Sequence, residues 1–359
     1  MNQHTVDVEL DVITDRVIGR RAIDESFEKL RSDVSDATHG VFGPGSMMWQ
    51  MLEPLPVLPM MLVQAGLLEL ATPKIFFGTE HSITRSGDYN SRFARSYEAF
   101  ADWFLGDLDT AVRTARRIHG YHTRVGGHAP ANLGRVEKGQ YYRATEQDLM
   151  IFTVGTQIVP TKQLYELFVR PLTAAEADRF YDEVKRFSML FGIDVDAMPA
   201  TWRGFDEYWQ RYMTSGELEL ASDGLNRMGP FVDPSQLPFV TRNALKLIMT
   251  LQFNLLPECL HSQYAAKLPL AKPRPRTAEL IALAVKGLLR VLPRGLIGAP
   301  RVFDAHRRVG TIGSPTRIEA RVRRALPHPF GDKLPSMCTP ASADADPKYS
   351  KAFTEAPVP

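Results

Sequence analysis

Apolar residues recur every three to four positions through much of the chain, which is the spacing of one buried helix face. This period runs through residues 16–34, 90–105 and 107–124, and it predicts an amphipathic helix over each. A denser apolar segment at about 57–71 predicts a buried helix that ends before Pro73, because proline cannot continue a helix. No segment alternates apolar and polar residues for long enough to predict a sheet.

The second half of the chain continues the helical pattern. Residues 146–170 predict a long helix, and Thr173 with Glu176 forms a capping box that starts the next one. Later segments with helical spacing lie at about 201–213, 240–252, 257–265 and 277–291. We therefore expect an all-α fold with a single large multi-helix domain.

The chain divides into three expected parts. Residues 1–38 form an N-terminal helical arm, residues 39–312 form the main helical domain, and residues 313–359 form a C-terminal segment. From about residue 335 the composition turns to Pro, Ser, Ala, Asp and Lys. This composition predicts disorder, because it offers too few apolar groups to bury.

Bulk composition narrows the function classes. The chain has 359 residues, of which 44% are apolar and 23% charged, as in an ordinary soluble protein. Its 43 basic and 41 acidic side chains give a net charge of +2, so no overall basic field indicates nucleic acid as a partner. Two distant cysteines and the lack of a signal-peptide pattern predict a cytoplasmic location. No window reaches the roughly 20 apolar residues of a transmembrane helix.

Candidate chemistry concentrates at the end of the helix predicted over 107–124. His119 and His122 are three residues apart, so both imidazoles share one helix face. Imidazole is the commonest metal ligand, and the neighbouring guanidinium groups of Arg116 and Arg117 suit carboxylates. The spacing therefore predicts an iron site, of the kind that an anionic cofactor such as haem would occupy.

Several short motifs occur in the order and spacing of one known family. They are residues 90–96 (NSRFARS), 122–126 (HTRVG), 142–150 (YRATEQDLM), 170–173 (RPLT) and 299–301 (APR). On these motifs the chain resembles, over about residues 40–310, the MpaB/rubber oxygenase (latex-clearing protein) family. The resemblance implies an all-α fold with a pocket between helices for haem b. It also implies oxidative chemistry with dioxygen on isoprenoid or other lipid-like substrates.

The chain departs from this family where the proximal haem ligand is expected. The family continues with Trp-Val-His-Ala-Thr, whereas residues 152–156 here read Phe-Thr-Val-Gly-Thr, which puts Val154 in the histidine's place. Valine cannot coordinate iron. No other histidine lies between His128 and His261, so a shift of one helical turn does not restore the ligand.

Two interpretations stay open. In the first, the chain is a haem-dependent oxygenase acting on a small apolar substrate, since one imidazole holds haem in many proteins. His122 is then the iron ligand, with His119 as the acid–base group or the alternative ligand. The other assigned residues contact the cofactor: Arg116 and Arg117 at the haem propionates, and Val154, Gly155 and Thr156 on the opposite haem face. In the second, the chain has lost haem and acts as a non-catalytic hydrophobic-ligand-binding or structural protein.

Overall fold

The computed structural model is built almost entirely of α-helices, and it describes residues 16–81, 89–222, 224–227 and 239–326. The helices of this part are α1 (Arg20–Asp33), α2 (Met47–Leu52), α3 (Val57–Leu70), α4 (Pro73–His81), α5 (Tyr89–Leu105), α6 (Leu108–His122), α7 (Gln147–Phe168), α8 (Ala174–Ser188), α9 (Trp202–Thr214), α10 (Phe239–Leu255), α11 (Glu258–Lys267), α12 (Pro275–Val291), α13 (Arg294–Ile297), α14 (Pro300–Arg308) and α15 (Arg317–Ala325). The predicted all-α fold is confirmed. The segment from 335, where we expect disorder, lies outside the described residues.

One small sheet interrupts the helices between α6 and α7, where the sequence predicts neither a helix nor a sheet. Strands β1 (Gly126–His128) and β2 (Tyr141–Arg143) pair antiparallel. Each strand has three residues, which is too short for an alternating pattern to appear in the sequence. The sheet carries the chain from the end of α6 back towards the start of α7.

The helices α3 and α7 form the centre of the fold and make its most extensive helix–helix contact. Thr156 of α7 donates a hydrogen bond to Glu69 near the end of α3. Lys74, just after α3, pairs with Glu146, just before α7, so the two helices run antiparallel. Both helices bury side chains all round, as expected of helices enclosed by others.

The helix α1 covers the side of the domain where α6 lies. Its buried face, formed by Ile23, Phe27 and Leu30, packs against α6 and the 3-10 helix Met189–Phe191. The helix predicted over 16–34 is therefore present, and it is docked on the domain.

Among the described residues, no single helix combines the length and apolarity needed to cross a bilayer. The helix α3 and the first part of α4, Pro73–Thr79, reach that length and composition only jointly, across a bend of 98°.

Candidate functional site

The helix α6 positions the two candidate histidines. Asp107 caps its N-terminus by accepting a hydrogen bond from the Thr110 N–H at 2.7 Å. The helix ends at His122, so His119 and His122 both lie in its last turn. A helix C-terminus normally favours a protonated imidazole. Burial favours the neutral imidazole instead. Burial dominates here, because the pKa of both His119 and His122 is lowered.

His119 is almost fully buried. Its Nε2 atom has no hydrogen-bond partner in the part of the chain that the structure describes. Burial lowers the pKa of His119, and the carboxylate of Asp24 offsets only part of this effect. A neutral imidazole with an unpartnered nitrogen is the form that ligates iron or accepts a proton.

His122 is partly exposed, one helical turn further on. Burial, with a smaller contribution from the neighbouring His119, lowers the pKa of His122 to about 4. Both imidazoles are therefore neutral near pH 7, and neither competes with a metal by holding a second proton.

The two arginines that precede the histidines have different surroundings. Arg116 is exposed; its Nη2 lies 2.8 Å from Asp24 Oδ1 and its guanidinium lies over the Phe27 ring, so it ties α1 to α6. Arg117 is partly buried. It lies near enough to Asp102 to oppose the burial that raises the pKa of that carboxyl.

The three candidate residues of α7 lie in closed packing. Val154 is fully buried in the hydrophobic core. A Cβ added to Gly155 would lie only 2.5 Å from the Trp209 ring, so α9 fills the space beside this glycine. The Thr156 hydroxyl donates back to the Thr153 carbonyl at 2.7 Å. None of these contacts leaves an open face at 154–156.

The two sets of candidate residues have different packing neighbours. The helix α6 packs mainly against α5, the 3-10 helices Met189–Phe191 and Ala37–His39, and α1. The helix α7 packs mainly against α3, α12, α2 and α8, and α6 is not among its extensive partners. A shared haem between His122 and Val154 therefore stays a prediction. No cluster of three or more His, Cys, Asp or Glu side chains arranged for a metal ion occurs among the described residues.

A buried polar cluster at the start of α7 has no counterpart in the sequence prediction. The Lys74 ammonium pairs with Glu146, and the carboxyl of Asp148 lies close to both. Burial raises the pKa of Asp148, whose Oδ1 has no partner among the described groups. Burial raises the pKa of Tyr208 and of Tyr212, and the negative charge of Asp148 raises both further. Glu146 and Asp148 lie within the motif 142–150, but Lys74 and the two tyrosines come from two other segments, so no local pattern joins them.

A cavity of about 340 Å³ lies at the far end of α7, bounded by α2, α12 and α13. Its walls include the apolar side chains of Phe168, Leu289 and Ile297, with Glu53 and Arg290 as charged members. Its size falls in the range of small-molecule sites. The candidate histidines are not part of its lining.

Comparison with known proteins places the chain in a family. Neither a curated protein nor a solved structure matches it. Residues 49–294 match the family described as ER-bound oxygenase mpaB/B'/Rubber oxygenase, catalytic domain. The matched span covers more than half of the chain and includes α3 to α12. The chain therefore belongs to the mpaB/rubber oxygenase family and carries its oxygenase-type catalytic domain.

Proposed function

We propose that the chain is an oxygenase that uses haem b and dioxygen to oxidise or cleave a small apolar substrate of isoprenoid or lipid type. A histidine of the His119/His122 pair holds the iron. The observation that carries the proposal is the buried, unpartnered Nε2 of His119 beside a second neutral imidazole, in a chain of this oxygenase family.

The histidine end of α6 fits the donor that haem iron requires. Iron takes a neutral imidazole nitrogen, and burial keeps both rings neutral near pH 7. His119 has the unpartnered buried nitrogen, whereas His122 is partly exposed. The proposal therefore extends to both residues, with His122 as the ligand and His119 as acid–base group, or His119 as the ligand itself. Haem, when bound, would supply the oxidative chemistry.

Residues 154–156, as they are packed in the structure, leave no space for a haem beside them. A planar macrocycle needs open space beside its contact residues, and the Trp209 ring occupies that space at Gly155. The proposal therefore relies on the α6 side alone.

The arginines of α6 can still serve the haem propionates. The ion pair of Arg116 with Asp24 is solvent-exposed on both sides, with 63% and 44% of the side chains accessible. Exposed pairs of this kind contribute about 0–1 kcal/mol, so a haem carboxylate can replace Asp24 at little cost.

The absorption spectrum tests this proposal. The full chain is expressed with ample haem, and the Soret band is compared with those of His119→Ala, His122→Ala and the control His128→Ala. His128 is an exposed histidine of β1. We expect a band in the parent chain and the control, and a loss in at least one α6 variant. Absence of the band after haem reconstitution, or equal bands in all four proteins, would contradict the proposal.

A second candidate function is a family member without haem that binds an apolar ligand. The cavity of about 340 Å³ favours it, because apolar walls suit a fatty-acid-like molecule and Arg290 can bind its carboxylate. Glu53, the other charged wall residue, pairs with Arg294. A fluorescent fatty acid would then bind to the chain. Leu289→Glu would weaken that binding, and His122→Ala would leave it unchanged.

A further inference from the structure

The helix α12 is apolar on both of its sides. Its inner side packs against the core through Ala278, Ala282 and the partly buried Ile281, Val285 and Leu289. Its outer side presents large apolar side chains to water: Leu280 is 67% exposed and Val291 is 77% exposed. Leu283 and Leu288 of the same helix are exposed as well. The exposed side of a surface helix is normally polar. The outer side of α12 is apolar instead, which indicates a surface that a binding partner covers.

Two further apolar residues are exposed in the short helices that follow α12. Leu296 of α13 is exposed, and so is Ile318 of α15. A Cβ added to Gly295 of α13 would lie 3.8 Å from the Ile318 side chain, so the two short helices adjoin. We name this region the α12–α15 surface; its apolar members are Leu280, Leu283, Leu288, Val291, Leu296 and Ile318.

Positive charge borders the α12–α15 surface. Residues 272–294 include six basic side chains and one acidic side chain. Lys286 and Arg290 lie one turn apart on one edge of the outer face of α12, and Arg317 and Arg321 lie exposed on α15. None of these four cations forms an ion pair within the described residues.

We propose that the α12–α15 surface docks onto an anionic lipid bilayer. The leucine and valine side chains of α12 enter the boundary between headgroups and acyl chains, and the four unpaired cations bind lipid phosphates. Apolar and basic residues arranged side by side on a helix are typical of helices that lie in the membrane interface. A leaflet with negative surface potential attracts such cations.

The charges favour a bilayer over a second copy of this chain. In a symmetric pair the same surface of both copies meets, so two surfaces that both carry net positive charge would face each other. Like charges brought together in this way repel, whereas anionic headgroups neutralise them. The proposal is independent of the haem proposal, because no α6 residue contributes to it.

Binding of the full chain to lipid vesicles tests the proposal. Vesicles of phosphatidylcholine are prepared with and without phosphatidylglycerol, and bound protein is measured by co-flotation at low and at physiological salt. Three variants are compared: Lys286→Gln/Arg290→Gln, Leu280→Gln/Leu283→Gln/Val291→Gln, and the control Arg135→Gln/Lys138→Gln. The control removes the same charge from the exposed loop between β1 and β2. Circular dichroism checks that each variant keeps its helices.

We expect the parent chain and the control to bind phosphatidylglycerol vesicles, with binding that weakens as salt rises. Loss of both α12 cations should lower the partition coefficient about 30-fold, at about fivefold per charge. Loss of the apolar side chains should lower it by more than about tenfold.

Three results would overturn the proposal. One is no binding to anionic vesicles, and another is equal binding by all the variants. The third is a concentration-dependent dimer of the parent chain, seen by sedimentation without lipid, that the apolar variant abolishes. That dimer would identify a second copy as the partner of this surface.

Discussion

The end of α6 and the middle of α7 are the two regions to which the sequence assigned haem, and their packing differs. At the end of α6, His119 keeps a buried nitrogen without a partner, next to the partly exposed His122. In the middle of α7, Phe152 stacks on Tyr212 with ring centres 4.3 Å apart. There Trp209 closes the space beside Gly155. The first region holds an imidazole nitrogen without a partner, whereas in the second aromatic rings fill the space beside Gly155.

The resemblance implies an iron ligand at position 154, and in this chain that position lies in the hydrophobic core. A valine at position 154 needs apolar surroundings, and it is fully buried among them. An imidazole at that position would instead need a metal or a hydrogen-bond partner. Under the proposed function, the candidate iron ligands are therefore the two histidines at the end of α6.

The largest expected effect is on the filled region. Trp209→Ala removes the ring that stacks on Phe152 at 5.5 Å and covers Gly155. We expect the free energy of unfolding to fall by about 3–5 kcal/mol, as for other buried aromatic residues. Urea denaturation measures it, with the exposed Tyr121→Ala as control. A loss below about 1 kcal/mol would show that this face is open, because burial is what makes the truncation costly.

Alanine substitutions at two helical glycines, one in each region, compare the packing of the two regions directly. A methyl group at Gly155 meets the Trp209 ring, so Gly155→Ala should lower the free energy of unfolding by about 1–3 kcal/mol. Nothing lies within 4 Å of the same group at Gly120, near the end of α6. Gly120→Ala should therefore raise stability by about 0.5–1 kcal/mol through helix propensity. The comparison fails if both substitutions change stability in the same direction.

The pH dependence of stability probes the α6 region. The pKa of His122 is about 4 in the folded chain against 6.5 for a free side chain. As the pH drops, His122 therefore takes up a proton in the unfolded chain before it does so in the folded chain. Its contribution to the free energy of unfolding is fully present above pH 6.5 and is lost as the pH falls towards 4. A shift of this size corresponds to about 3 kcal/mol, and partial exposure of the ring reduces the expected effect to about 2 kcal/mol.

Denaturation at a series of pH values measures this loss. His122→Gln should flatten the curve over that interval, whereas the exposed His128→Gln should not. An unchanged slope in His122→Gln would mean that the His122 ring titrates as in water.

The smallest effect concerns Arg116. Because its pair with Asp24 is exposed, Arg116→Gln should lower the free energy of unfolding by only about 0.5 kcal/mol. If Arg116 binds a haem propionate, the same variant should retain less haem. Full haem retention by this variant would show that Arg116 does not bind the cofactor, whatever its effect on stability.

Most of the helices can be predicted from the sequence because their signals are local. The capping box of Thr173 and Glu176 is present as predicted, and α7 begins and ends within two residues of the predicted helix. The apolar pattern does not predict α2, because nearly every residue of Met47–Leu52 is apolar and no period shows. It does not predict α13 to α15 either, because they are short and contain many arginines.

The candidate site is only partly predictable, for a different physical reason. The spacing of His119 and His122 places them on one helix, and the structure has them together in the last turn of α6. The contact between Gly155 and Trp209 joins residues of two different helices, and no local pattern encodes it. The cavity at the end of α7 likewise draws its walls from several distant segments.

The central claim is that α6 rather than α7 holds the haem iron. The most direct test removes the histidines of α6 and places a histidine on α7 instead. Haem content is measured from the Soret band in three proteins: the parent chain, His119→Ala/His122→Ala, and the same double variant with Val154→His added. We predict a band in the parent chain and none in the other two, because the packing at 154–156 leaves no room for haem. A band restored by Val154→His would contradict the account and place the haem at α7.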